Sequence, residues 1–293
     1  MTDAMTSRRQ FLQAGAVFAG GSSLLAQSLS KPARRLADCG WVWEGNGIDK
    51  EVHPSIFGAG EGAEYFGLSR AIFLFHPSND LAMQKRQMRN LKEIVCDISK
   101  WKARTTEQCN SQPYVDADPK TIRLEAENVS QLSTTYRNIT GAFHDDMWHF
   151  VKKGKFGPSD YRVIRSSLAS KNSALRLWVV VYTNELDEDW TPFSPFMDVV
   201  NLWVWGAENI VHLDSYMTRC REVFPGKPIN LGCYLRDYPT KSPLPMDMLR
   251  FQWERVLKFV QSGAIAGYSI LGTWLIDTHQ DQARWVRDFI AAN

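Results

Sequence analysis

The sequence has no Cys-x-x-Cys, His-x-His or His-Glu-x-x-His spacing, and its five cysteines are odd in number. Those absences argue against a structural zinc site, a helix-borne zinc hydrolase and a full disulfide framework. One or two bridges at most fit, and Cys96 and Cys233, set inside apolar runs, read as core residues. No Gly-x-Gly-x-x-Gly follows an early apolar run; Gly58-Ala59-Gly60-Glu61-Gly62 is glycine-rich at the wrong spacing for a dinucleotide site. An excess of one charge is missing too. The formal net charge is +2, which offers no electrostatic grip on nucleic acid or an anionic membrane. A small neutral or weakly charged ligand suits that balance. No Pro/Gly/Ser-rich linker or charge block divides residues 29–293, so they read as a single domain.

Charge is absent locally as well, between Arg9 and Lys31. Ser7-Arg8-Arg9-Gln10-Phe11-Leu12 leads into this stretch and resembles the twin-arginine export signal, a paired-arginine head before a mildly apolar run. The resemblance implies a leader over residues 1–28, cleaved near Ala26 or Ser28, the twin-arginine translocase as a partner, and a periplasmic or extracellular destination. Gly15, Gly20 and Gly21 weaken any helix there, and the run is too short for a permanent membrane anchor.

Beyond the leader, short apolar runs alternate with helical periodicity. Eight runs are candidate strands: 39–43, 71–75, 93–97, 139–144, 175–182, 199–205, 229–235 and 265–271. Helical segments are expected at about 120–136, 159–173, 207–224, 246–262 and 280–291. Continuous apolar runs suit parallel strands buried on both faces, and eight of them with intervening helices predict a (β/α)8 barrel. The stretch from Trp43 to Ala71, rich in Gly and Glu, has little helical period and predicts an irregular first crossover.

In such a barrel the functional groups stand on loops after the strands. Carboxylates follow the last five runs: Asp145 and Asp146, then Glu185, Glu208, Asp237 and Asp277. The rhythm resembles glycoside-hydrolase TIM barrels, most locally in Ile139-Thr140-Gly141-Ala142-Phe143-His144-Asp145-Asp146-Met147-Trp148, an apolar fourth strand ending in aspartates. The chitinase-type Asp-x-x-Asp-x-Asp-x-Glu pattern is absent. The resemblance implies hydrolysis of a glycosidic bond by two carboxyl groups with no cofactor, held about 5 Å apart in a retaining enzyme and about 6.5–9.5 Å apart in an inverting one.

The leading pair is Asp146 with Glu185, with Asp145, Glu208 and Asp237 in reserve. Strand alternation places Asp145 and Asp146 on opposite sides, one in the pocket and the other bracing a loop or Arg236. Each candidate also has an ordinary structural role open to it. Asp145-Asp146 suits a helix N-terminus, Glu185 an acidic solvated loop, Glu208 a first helical turn, and Asp237 an ion pair with Arg236. Eleven tryptophans include two near strand ends, Trp205 and Trp274, that suit a sugar-stacking platform. Asn184, His144, Arg236 and Tyr234 complete the candidate ligand contacts. Two alternatives remain beside the hydrolase: a barrel that binds a glycan without cleaving it, and a metal-dependent hydrolase or deacetylase built on His76, His144 and the two aspartates.

Overall fold

The apolar runs form the strands expected of them. The computed structural model describes residues 34–44, 55–73, 79–99, 101–105, 111–115 and 118–293. The proposed leader, His76 and Cys109 lie outside the described residues. Eight strands are β1 (Gly40–Glu44), β2 (Arg70–Phe73), β3 (Glu93–Asp97), β4 (Ile139–His144), β5 (Arg176–Tyr182), β6 (Val199–Trp203), β7 (Ile229–Tyr234) and β8 (Gly267–Leu271). They pair in parallel and close into a barrel in the order β1-β8-β7-β6-β5-β4-β3-β2. The seam joins β1 to β8 in register, from Gly40 opposite Tyr268 to Trp43 opposite Leu271.

Alternation along each strand separates two apolar regions. Inward positions, among them Trp41, Trp43, Ile72, Val95, Phe143, Trp178, Val180, Trp203 and Tyr234, fill the barrel. Outward positions such as Val42, Ala71, Val179, Leu231 and Cys233 meet the helices in the larger outer core. The interior is unusually aromatic: Trp43 lies 4.5 Å from Phe143 and 4.9 Å from Trp203, which in turn lies 5.0 Å from Tyr234. Gly232 makes room for this, because a Cβ there would come within 2.1 Å of the Trp203 ring.

The helices are α1 (Ala59–Tyr65), α2 (Asn79–Gln84), α3 (Arg86–Asn90), α4 (Pro119–Thr135), α5 (Met147–Lys152), α6 (Pro158–Leu168), α7 (Leu213–Val223), α8 (Met246–Gln261) and α9 (Gln280–Ala292). Asp118 starts α4 by accepting from the Lys120 N–H at 2.9 Å, and Pro119 and Pro158 occupy first helical positions, where no donor is lost. Three expectations change. The helix expected over 159–173 ends at Leu168. The Trp43–Ala71 stretch is not helix-free, since α1 runs through its glycine cluster with Ala59, Gly60, Gly62 and Ala63 buried. The segment expected as one helix over 207–224 begins as a tighter 3-10 turn, Ala207–His212, before α7. Antiparallel pairs Trp101–Thr105 with Ser111–Val115, and Arg236–Asp237 with Ser242–Pro243, decorate the loops after β3 and β7. The described cysteines Cys39, Cys96, Cys220 and Cys233 are buried free thiols.

Candidate active site

β4, β5 and β6 deliver their following loops to one open pocket of about 310 Å³ lined by Asp146, Tyr182, Asn184, Glu185 and Trp205. All stand at or after the carboxyl ends of strands. Tyr182 is the last residue of β5, in the inward phase set by Trp178 and Val180, and it joins the two carboxylates. Its hydroxyl donates to Asp146 Oδ1 at 3.1 Å, and its backbone N–H donates to Glu185 Oε2 at 3.0 Å. The Glu185 carbonyl in turn accepts from Trp190 Nε1 at 2.8 Å, fixing the short turn Thr183–Glu185.

The backbone at Asp146 is unusual, with φ +48°, a left-handed conformation that costs most L-residues about 1–2 kcal/mol and that Asp tolerates better than most. Asp146 occupies the N-cap position of α5 but makes no side-chain cap, so its carboxylate faces Tyr182 rather than the helix. Asp145 takes the bracing role: it is buried, accepts the Asp146 N–H at 3.0 Å, and donates its own N–H to Ser99 Oγ at 2.6 Å.

Both pocket carboxyls are held above their ordinary range. Burial pushes Glu185 up to about 7, opposed by the Tyr182 N–H and reinforced by the Asp146 charge. Burial raises Asp146 too, while the Tyr182 hydroxyl and His149 pull it back. The Tyr182 phenol is pushed well above its usual value, first by burial and then by Asp146, so it stays a donor.

Trp205 is 47% exposed at the rim. It meets Tyr182 edge-on at 6.1 Å and stacks on Tyr238 at 5.9 Å, which leaves an aromatic face beside the two acids. Asn184 is exposed on the same rim. Tyr182 and Tyr238 were not singled out from sequence; strand alternation from Trp178 through Val180 carries the signal for Tyr182.

The remaining candidates sit elsewhere. His144 points outward, fully buried, with Nδ1 2.7 Å from the Tyr161 hydroxyl of α6, and burial lowers it to about 3. Trp274 is only 8% exposed and belongs to the outer core, because the turn after β8 folds it under. Tyr234 is buried inside the barrel beneath Tyr238. Asp237 accepts from the Ala207 N–H at 3.0 Å and from the Thr240 hydroxyl, which makes it a loop brace, and Arg236 is buried with Nη1 3.4 Å from His279 Nε2. Glu208 is exposed and takes the Asn209 amide at 3.1 Å, outside the pocket lining. Among the described residues no group of three or more His, Cys, Asp or Glu is placed to hold a metal ion.

No family model matches the chain, and no curated protein does. Solved structures do. A xylanase-α-amylase inhibitor protein in complex with trehalose superposes at TM-score 0.53 with 13% identity, over 88% of this chain and 99% of that one. A chitinase from Chromobacterium violaceum gives 0.53 with 10% identity over 87% and 99%. A modular endo-β-1,4-mannanase from Cellulomonas fimi gives 0.52 with 10% identity over 80% of this chain and 64% of that one. At such identities the likeness is one of fold: these proteins share the eight-stranded barrel, and by name they include both hydrolases and an inhibitor.

Proposed function

We propose that this chain is an exported carbohydrate-active enzyme that hydrolyses a glycosidic bond, with Glu185 as the acid and Asp146 as its ionised partner. The observation that carries this is the pairing of two burial-raised carboxyls with a half-exposed tryptophan in one pocket at the carboxyl end of the barrel. Glycoside hydrolysis needs one carboxyl protonated near neutral pH and one ionised. Glu185, raised to about 7, keeps its proton into the neutral range; burial raises Asp146 as well, and the Tyr182 hydroxyl and His149 oppose that rise on the side of its anion. In the reaction Glu185 gives its proton to the leaving glycosidic oxygen as the bond to the anomeric carbon breaks. The Asp146 carboxylate meets the positive charge developing on that carbon. Water supplies the new hydroxyl, and its second proton restores the acid. Trp205 offers the flat face on which a sugar ring stacks, and Asn184 a hydrogen-bonding amide. The groups named need no cofactor.

The paired arginines Arg8 and Arg9 support export by the twin-arginine translocase to the periplasm or beyond. Among the described residues no helix is long and apolar enough to cross a membrane.

The alternative, a glycan-binding barrel without turnover, is favoured by one contact: the Tyr182 N–H to Glu185 bond gives that carboxylate a structural task. The test is release of reducing sugar from a panel of polysaccharides and aryl glycosides, with Glu185→Gln and Asp146→Asn beside the wild type. An acid of this kind contributes roughly 10²–10⁴-fold, so Glu185→Gln should lose that much in kcat while still binding the glycan. Saturable binding without turnover in the wild type, unaltered by Glu185→Gln, selects the binding protein instead.

A further inference from the structure

The two carboxyls of the pocket ride on different loops, which are joined on two sides. On the pocket side Tyr182 touches both, its hydroxyl on Asp146 and its N–H on Glu185. On the side of the outer core the loops meet through two indoles that take no part in the pocket lining. Trp148 stands in the first turn of α5, directly behind Asp146, and Trp190 closes the loop that begins at Glu185. Their rings lie 4.4 Å apart at 34°, and both are buried.

Trp190 is held at both ends. Its Nε1–H donates to the Glu185 carbonyl at 2.8 Å, the same oxygen that accepts the Glu188 N–H at 3.1 Å. Its own carbonyl accepts from the N–H groups of Phe193 and Ser194, at 3.0 and 2.8 Å. Beside Trp148 its ring also meets Phe224, 5.3 Å away at the end of α7. Asp146 has less to aim it. Its backbone is left-handed and its side chain caps nothing, so beyond the Tyr182 hydroxyl the direction of its carboxylate follows from where α5 docks. Trp148 is the α5 ring that docks on the Glu185 loop. The polar ties of this loop to α5 and α7 are weaker: Lys152 reaches Glu188 at 2.5 Å and Arg219 reaches Asp187 at 3.1 Å, but both pairs lie at the surface, where water and salt screen them.

We propose that Trp190 is the positioning residue of the site: stacked on Trp148 and bonded to the Glu185 carbonyl, it fixes the separation of the two carboxyls from the outer core. This rests on the reading of Asp146 and Glu185 as the reacting pair. The separation decides how a glycoside is cleaved, about 5 Å for a covalent intermediate and about 6.5–9.5 Å for direct attack by water, and a misplacement of about 1 Å can cost about 100-fold in rate. A residue that never touches the sugar thus governs kcat and leaves KM alone.

Trp190→Phe, which keeps a buried ring but loses the N–H and part of the stack, tests this in two ways. With a glycoside that the wild type cleaves, kcat should fall about tenfold at unchanged KM. With no substrate at all, the Glu185 carboxyl can be titrated by carbon NMR of the full chain labelled at glutamate, the Glu185→Gln spectrum identifying its signal. The charges that bear on Glu185 are Asp146, Lys152 and Glu188, all left in place, and burial is the main cause of its midpoint near 7. A turn released from Trp190 admits water, so that midpoint should drop by about one unit toward 4.5. Trp253→Phe, the same exchange in α8 where the ring packs on Tyr268 and Phe289, should lower the melting temperature without moving either readout. If Trp190→Phe does not fold, Trp148→Phe thins the same stack from the Asp146 side and should move both readouts the same way. A Glu185 midpoint that stays near 7, or an undiminished kcat in an active enzyme, overturns the proposal, as does an equal loss in Trp253→Phe. A wild type that cleaves nothing retires the hydrolase reading, and the titration alone then decides whether Trp190 holds Glu185 in place.

Discussion

At Asp146 one residue carries both the candidate chemistry and a left-handed backbone. Separating the two is a matter of comparing deletions. Asp146→Ala and Asp146→Gly both remove the carboxylate, but only glycine is at ease at φ +48°, so the glycine variant should be the more stable by about 1 kcal/mol in urea unfolding. Tyr182→Phe removes the donor that favours the Asp146 anion. Its carboxyl should then titrate higher, and the acid limb of the pH–rate profile should move to higher pH.

Glu185 and His144 should make stability respond to pH with opposite sign. Glu185 is raised from 4.5 to about 7, so the folded state holds its proton more tightly than the unfolded one, and stability falls as pH rises through that window. His144 is lowered from 6.5 to about 3, so stability falls as pH drops below 6.5. The two oppose each other between pH 4.5 and 6.5. Denaturation midpoints of Glu185→Gln should therefore fall more steeply with falling pH across that interval than those of the wild type.

At the scale of elements, the strands were the legible part. A parallel strand buried on both faces must be apolar throughout, so β3 and β4 coincide with their apolar runs and the others shift by a residue or two at their ends. The helix α1 was hidden because Gly60 and Gly62 read as a loop, whereas the close approach of Gly60 to Gln87 and of Gly62 to Thr273 leaves no room for side chains. The candidate site was legible where a residue's place follows from its strand end, as with Asp146, Glu185 and Trp205. Two strand-end residues were not legible: the turn after β8 folds Trp274 into the outer core, and alternation past inward Phe143 points His144, the last residue of β4, outward against Tyr161. Gly232→Ala tests how tightly the interior is filled. Its Cβ would run into the Trp203 ring, and such overpacking typically costs about 1–3 kcal/mol, read as a lower melting temperature and altered near-ultraviolet dichroism from the tryptophans.

At the scale of the whole molecule, the two mouths of the barrel face different chemistry: paired acids at the carboxyl ends of the strands, and Arg34, Arg70 and Arg176 with Asp38 and Glu93 at the amino ends. Replacing Arg8 and Arg9 by lysine should trap the chain in the cytoplasm, seen by fractionation, without changing the melting temperature of the barrel. The closed sheet has one more consequence. The seam between β1 and β8 joins residues that are among the first and last of the described fold, with the Leu36 N–H reaching the Asn293 carbonyl at 3.3 Å. Contacts so distant along the chain carry a large loop-closure entropy and form late, so the barrel can shut only once β8 has been made and brought back to β1. Closing that seam is therefore the decisive step of folding, and an export machinery that accepts only finished structures would have to wait for it.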